Sequence, residues 1–143
     1  MTGRELLEQV RVLDGEVAEL RALRASVLDG LTSTTARMSE SGVRGGGDPH
    51  KLDAVGELVG EVDAKLRELA GAKRAALGVI NAMPDSRQRA ALLAYYVNCR
   101  ASDGSLRTWE SIAEEKRLSW SSLMRTRSAA LAAVEKLVQS GIE

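Results

Sequence analysis

The residues best suited to chemistry are basic and hydroxyl side chains that alternate with apolar ones in the last third of the sequence. Between Arg87 and Arg127 there are eight basic residues and four acidic ones, although the net charge of the 143-residue chain is zero. Lysine and arginine side chains bind phosphate oxygens, and serine hydroxyls bind phosphates or base edges. The chemistry indicated is nucleic-acid recognition.

Residues 108–131 have the apolar spacing of a helix-turn-helix, in which a second helix enters the major groove of DNA. On this interpretation Arg125 is placed to make two hydrogen bonds to a guanine. The predicted DNA contacts are Arg107, Lys116, Arg117, Ser121, Ser122, Met124, Arg125, Arg127 and Ser128. The alternative is that Arg125 and Arg127 are ordinary solvated charges on an exposed helix.

Hydroxyl groups and apolar residues define the two predicted helices. Thr108 and Ser119 are each placed as N-caps, because their oxygens can accept from the free N–H groups of the following turn. Leu118 is expected to plug the turn. Trp109 and Trp120 are expected to anchor a small helical core, and the alternative is that they stack on bases or on a partner. The other residues predicted to face inward are Ile112, Ala113, Leu123, Ala130 and Leu131.

Catalytic and cofactor chemistry has no support in the sequence. Cys99 is the only cysteine and is interpreted as a buried apolar residue, with no disulfide to form. His50 is the only histidine, so a two-histidine metal site is excluded. Gly45-Gly46-Gly47 lacks the Lys-Ser/Thr pair of a phosphate-binding loop. We expect no enzyme activity, no cofactor and no metal.

An ordered set of motifs runs through residues 78–138. In chain order they are Met83-Pro84, Arg87-Gln88-Arg89, Leu92, Tyr96, Thr108-Trp109-Glu110-Ser111-Ile112-Ala113, Ser122-Leu123 and Ala130-Leu131. This set resembles region four, the C-terminal DNA-binding domain of bacterial sigma factors. The chain is also similar to small phage- and mobile-element proteins in which a helical hairpin precedes such a domain. The resemblance implies a phage-type transcription regulator that binds promoter DNA.

Two long helices are predicted before this domain, over residues 1–31 and 51–81. Their apolar residues recur at alternating spacings of four and three, which is typical of a helix that buries one narrow stripe. The stripes are Leu6, Val10, Leu13, Val17, Leu20, Val27 and Leu31, and then Leu52, Val55, Val59, Val62, Leu66, Leu69, Ala76 and Ile80. The glycine-rich stretch 41–50 between them favours a flexible loop.

The predicted fold is therefore all-α. A long antiparallel, coiled-coil-like hairpin over residues 1–81 pairs Leu31 with Leu52 and Leu6 with Leu77, and the helix-turn-helix domain follows over residues 84–140. In that domain a preceding helix should start near Asp85-Ser86 and run to about Arg100. A single stripe per helix leaves apolar surface to cover, so we expect the hairpin to pack on the C-terminal helices or on a second copy of the chain.

Partners and location follow from the same features. The hairpin is expected to serve self-association, giving a homodimer, or contact with RNA polymerase. No run approaches the ~20 apolar residues of a membrane span, and cytoplasmic location is expected. Two alternatives stay open: a small DNA-recognition subunit of a phage terminase, and a protein-interaction module that does not bind DNA.

Overall fold

The computed structural model describes residues 1–41 and 49–141, with side chains described for residues 1–30 and 56–141. Over these residues the chain is all-α and contains no β-strand, which confirms the predicted class. A π-helical segment, Leu93–Val97, directly continues α3. The helices are α1 (Gly3–Ser41), α2 (Pro49–Asn81), α3 (Ser86–Leu92), α4 (Trp109–Lys116) and α5 (Trp120–Gln139).

The first helix is longer than the sequence predicted. It continues to Ser41 instead of ending at residue 31. None of residues 31–41 is glycine or proline, and extending an existing helix is much easier than starting one. At the ends of the predicted loop over 41–50, Ser41 belongs to α1, and Pro49 and His50 belong to α2. Residues 42–48 and the side chains of His50, Leu31, Leu52 and Val55 lie outside the described part.

Two compact units are distinguished by their internal contacts: Met1–Val12 with Leu69–Glu143, and Leu13–Glu68. In the second unit, Lys65 of α2 lies 2.9 Å from a carboxylate oxygen of Glu16 in α1. Val59, which was predicted to be buried, is 36% exposed, and its neighbour Leu58 is buried instead. The helical period of 3.6 residues explains this change, since a strict seven-residue repeat drifts around a straight helix.

The first unit contains the larger core and groups residues 1–12 with the C-terminal segment. Its completely buried side chains include Leu7 and Val10 of α1, whereas the predicted Leu6 is only half-buried. A Cβ added to Gly3 would lie 2.7 Å from Cγ1 of Val134, so α1 passes very close to α5. The start of α1 therefore packs against a C-terminal helix in this unit.

The segment before α4 follows its local signals closely. Asp85 caps α3 by accepting hydrogen bonds from the backbone N–H groups of Arg87 and Gln88, as predicted. The helical path ends at Val97 rather than near Arg100. Cys99 is buried, as predicted, and a turn over residues 101–105 closes with the Ala101 N–H donating to the Ser105 carbonyl.

Candidate functional site

The start of α4 is fixed by a reciprocal pair of hydrogen bonds. The Thr108 hydroxyl accepts from the Ser111 N–H at 3.1 Å, and the Ser111 hydroxyl accepts from the Thr108 N–H at 2.9 Å. This capping box satisfies two backbone donors that the first helical turn leaves free. The predicted cap at Thr108 is confirmed, and it sets the position of the buried side chains of Trp109 and Ile112.

A turn of three residues, Arg117 to Ser119, joins α4 to α5. Arg117 adopts a left-handed conformation with φ of 54°, the one non-glycine residue with positive φ in the described part of the chain. The Arg117 N–H donates to the Glu114 carbonyl and the Leu118 N–H to the Ala113 carbonyl. These two bonds form a Schellman motif, which satisfies the last carbonyls of α4 and reverses the chain sharply.

The second helix of this pair begins at another confirmed cap. The Ser119 hydroxyl accepts from the Ser122 N–H at 3.3 Å, and α5 then runs for 20 residues. One side of α5 is buried in the first unit through Leu123, Ala130 and Val134. This burial leaves the opposite side of α5 facing solvent.

Two large apolar residues, one in the turn and one at the start of α5, do not occupy the core. Leu118 was predicted to plug the turn, but it is 41% exposed. Trp120 was predicted to anchor the core and is instead 49% exposed at the first position of α5. Trp109 alone fills the anchoring role expected of the two tryptophans.

Five of the nine predicted DNA contacts are exposed to solvent: three lie on α5, one at the end of α4 and one in the turn. Ser121, Arg125 and Ser128 follow one another at helical spacing along α5, so they share a face. We call these three residues, together with Lys116 at the end of α4 and Arg117 of the turn, the α5 front surface. All five side chains are exposed. Ser122 and Met124 border it and are half-buried.

The other two predicted contacts are held by groups of the protein itself. Arg107 lies 3.2 Å from the Glu115 carboxylate and also donates to the Asn98 carbonyl. Arg127 lies over the Trp109 ring at 5.3 Å from its centroid, and its Nη1 is 3.8 Å from the sulfur of Met124. Neither guanidinium is as available to a phosphate as Lys116, Arg117 and Arg125.

An aromatic cluster packs against Trp109, the first residue of α4. Tyr95 stacks on Trp109 with 4.2 Å between ring centroids, and Tyr96 meets Tyr95 edge-on at 4.8 Å. Arg11 of α1 lies 3.8 Å above the Tyr95 ring and donates to the carbonyls of Tyr95 and Arg107. The sequence indicated no role for Arg11, because no local signal connects it to a segment 84 residues further along the chain.

Two side chains near the site have shifted pKa values. Burial raises the pKa of the Tyr96 hydroxyl, because the charged form loses its hydration, and the nearby Glu8 carboxylate raises it further. The Ser105 hydroxyl and N–H both donate to the Asp103 carboxylate and lower its pKa. Asp103 therefore stays charged in the turn that leads to α4.

Metal sites and membrane spans are not found among the described residues. No group of three histidine, cysteine, aspartate or glutamate side chains in this part of the chain could hold a metal ion. No described helix combines the length and apolar character needed to cross a bilayer. Comparison with protein-family models, curated proteins and solved structures finds no match for this chain.

Proposed function

We propose that α4 and α5 form a helix-turn-helix that binds duplex DNA, and that the chain is a phage-type transcription regulator. The observation that carries the proposal is the three-residue turn that ends in the Ser119 cap and leaves one side of α5 exposed. A recognition helix needs this arrangement, because its buried side must hold it while its front side chains reach base edges. The resemblance to sigma region four supports the same interpretation.

The charged side chains of the site would make a modest electrostatic contribution to DNA affinity. Lys116, Arg117 and Arg125 are exposed on or beside the front of α5, where they would neutralise phosphates or bind a guanine. Arg107 and Arg127 would act indirectly, by positioning α4 and α5 through Glu115 and Trp109. The long helices would form the antiparallel hairpin, and this hairpin would serve self-association or contact with RNA polymerase.

The test is DNA binding by fluorescence anisotropy at about 50 mM salt, where phosphate contacts are strongest. The probes are the duplex upstream of the gene for this chain and a random duplex of equal length. Arg125→Ala should weaken binding to the upstream duplex about 10- to 100-fold. Arg67→Ala is the matched control, since Arg67 is an exposed arginine of α2 and its loss changes the net charge equally.

Two results would contradict the proposal. One is background binding of both duplexes by the folded wild-type chain. The other is an equal loss of affinity in Arg125→Ala and Arg67→Ala, which would mean that only net charge matters.

A protein-interaction module is the second candidate, and one observation favours it. Leu118 and Trp120 are large apolar residues that lie exposed next to the α5 front surface. Tryptophan is enriched where proteins bind one another. This candidate gains support if RNA polymerase is captured by the wild-type chain but not by Trp120→Ala, while DNA binding stays at background.

A further inference from the structure

A cavity of about 500 Å³ lies between α3, the turn and α5. Ala90 and Ala91 of α3, Leu118 of the turn and Leu123 of α5 give it an apolar lining. Pockets that bind small molecules have volumes of roughly 300–1,000 Å³ and are mostly apolar, with a few polar groups that fix orientation. The size and lining of this cavity match that description. Leu118 is exposed because it does not pack in the core, and it forms part of the cavity wall instead.

The polar groups of the cavity carry positive charge. Arg87 and Lys116 both line it and are exposed. Within the described part of the chain, neither side chain has an ion pair within 4.0 Å, and no acidic residue lines the cavity. The Thr126 hydroxyl already donates to the Ser122 carbonyl. The cavity therefore offers an apolar interior and two cations to which no described residue supplies a counter-charge.

A neighbouring cavity provides a useful contrast. It has a similar volume of about 490 Å³ and shares Ala90 and Lys116, but Glu115 and Arg107 line it as well. Those two side chains already pair with each other, so Lys116 is the one charge left over in this cavity, against two in the first. An anion is therefore favoured more in the first cavity, where two cations and no carboxylate line the space, than in the second.

We propose that the cavity lined by Arg87 and Lys116 binds a small organic anion, a carboxylate attached to an apolar body. The carboxylate lies between the two cations, and the apolar body packs against Ala91, Leu118 and Leu123. Charge complementarity selects the anion, and burial of apolar surface supplies most of the affinity.

The proposal also assigns a regulatory effect, and this part rests on the proposed function. Lys116 belongs both to the cavity and to the α5 front surface. A carboxylate bound to Lys116 takes away a cation that would otherwise neutralise a DNA phosphate. Ligand and DNA therefore weaken each other's binding by the same factor, as linkage between two sites requires.

The first experiment maps binding without DNA. Naphthoate, an aromatic carboxylate, is titrated into the isotope-labelled full chain while backbone amide signals are followed by NMR. The expected shifts are concentrated at Ala90, Ala91 and Leu118. Ala90→Leu fills the cavity and should reduce affinity at least tenfold. Ala94→Leu, the same change in the neighbouring cavity, should leave affinity unchanged. Because Ala90 lines both cavities, loss of binding in Ala94→Leu, alone or together with Ala90→Leu, would overturn the assignment, as would the absence of shifts at millimolar naphthoate.

The second experiment tests how much the two cations contribute to naphthoate affinity. It uses substitutions at exposed positions, which keep the core intact. Replacing both cations, as Arg87→Gln with Lys116→Gln, should weaken naphthoate binding about two- to ten-fold. Binding of naphthalenemethanol, a neutral compound of similar size, should not change. Equal weakening of the affinity for both compounds would overturn the role of charge.

A dilution series of the chain alone tests for a second copy in the cavity. If the same amide signals shift on dilution, a second copy occupies the cavity, and this result would also overturn the proposal.

The regulatory effect has its own measurement. Naphthoate should lower DNA affinity in the wild type and leave it unchanged in Ala90→Leu. Arg125→Ala should lose DNA affinity while it binds naphthoate normally. Failure of the DNA-binding proposal would leave the amide shifts in place, whereas failure of the cavity proposal would leave DNA binding insensitive to naphthoate.

Discussion

Arg117 combines a strained backbone with an exposed charge, and substitution separates the two. Its left-handed conformation costs any residue with a Cβ about 1 kcal/mol relative to glycine. Arg117→Gly should therefore raise the free energy of unfolding by about 0.5–1 kcal/mol, and Arg117→Ala should not. Urea denaturation measures the difference. Both variants lose the same charge, so we expect the same reduction in DNA affinity from each. Equal stability of the two variants would show that the turn carries no strain.

Tyr96 makes the stability of the first unit sensitive to alkaline pH. Its folded pKa is raised, so the neutral hydroxyl stabilises the fold fully below the unfolded pKa of about 10. This contribution is lost as the pH rises through the folded pKa. Wild type should lose more stability than Tyr96→Phe between pH 8 and pH 11, by chemical denaturation at each pH. Parallel losses in the two proteins would contradict the assigned role of burial.

Glycines in α1 provide the sharpest prediction for a single helix. A Cβ at Gly3 would meet Val134 at 2.7 Å and a carboxylate oxygen of Glu135 at 2.8 Å, whereas a Cβ at Gly15 would meet nothing within 4 Å. Gly3→Ala should destabilise the chain by about 1–3 kcal/mol through overpacking. Gly15→Ala should stabilise it by about 0.5–1 kcal/mol, because alanine favours the helix. Thermal and urea unfolding give both values, and stabilisation by both substitutions would show that α1 does not approach α5 closely.

The elements that the sequence predicted well are those with local signals. The caps at Asp85, Thr108 and Ser119 each depend on a side chain and a backbone N–H two or three residues away, so the pattern along the chain is sufficient. The apolar period likewise identified the buried Ile112 and Leu123. The all-helical class followed from the same kind of information.

Features that depend on distant parts of the chain were not predictable. The period of the first helix placed Leu6 on the buried stripe, but packing within the first unit buries Leu7. The clamp from Arg11 to Tyr95 and the exposure of Leu118 also depend on tertiary contacts that leave no trace in local spacing. The sequence also could not show that Arg107 and Arg127 contact groups of the protein while Arg125 is exposed. The groups that Arg107 and Arg127 contact lie on other elements or on another face of the helix.

The whole molecule is expected to associate through its long helices. In the second unit Leu23 is 53% exposed, one turn before the half-buried Val27. Light scattering at micromolar concentration should give twice the mass of one chain, and Leu23→Lys should shift this mass toward a monomer. A wild-type monomer would contradict the dimer, and an assembly of eight or more chains would favour the DNA-packaging alternative. Leu106→Lys, at an exposed leucine of the other unit, is the control and should keep the wild-type mass.

The bond between the Arg4 N–H and the Glu135 carboxylate also constrains how a nascent chain matures on the ribosome. The two residues are 131 positions apart, so synthesis of the second follows the first by roughly ten seconds. Throughout that interval Gly3 lacks Val134, the side chain of α5 that it approaches in the folded chain. The start of α1 is thus translated early and docked late, and a chaperone that recognises apolar helices has its best opportunity to engage the chain there.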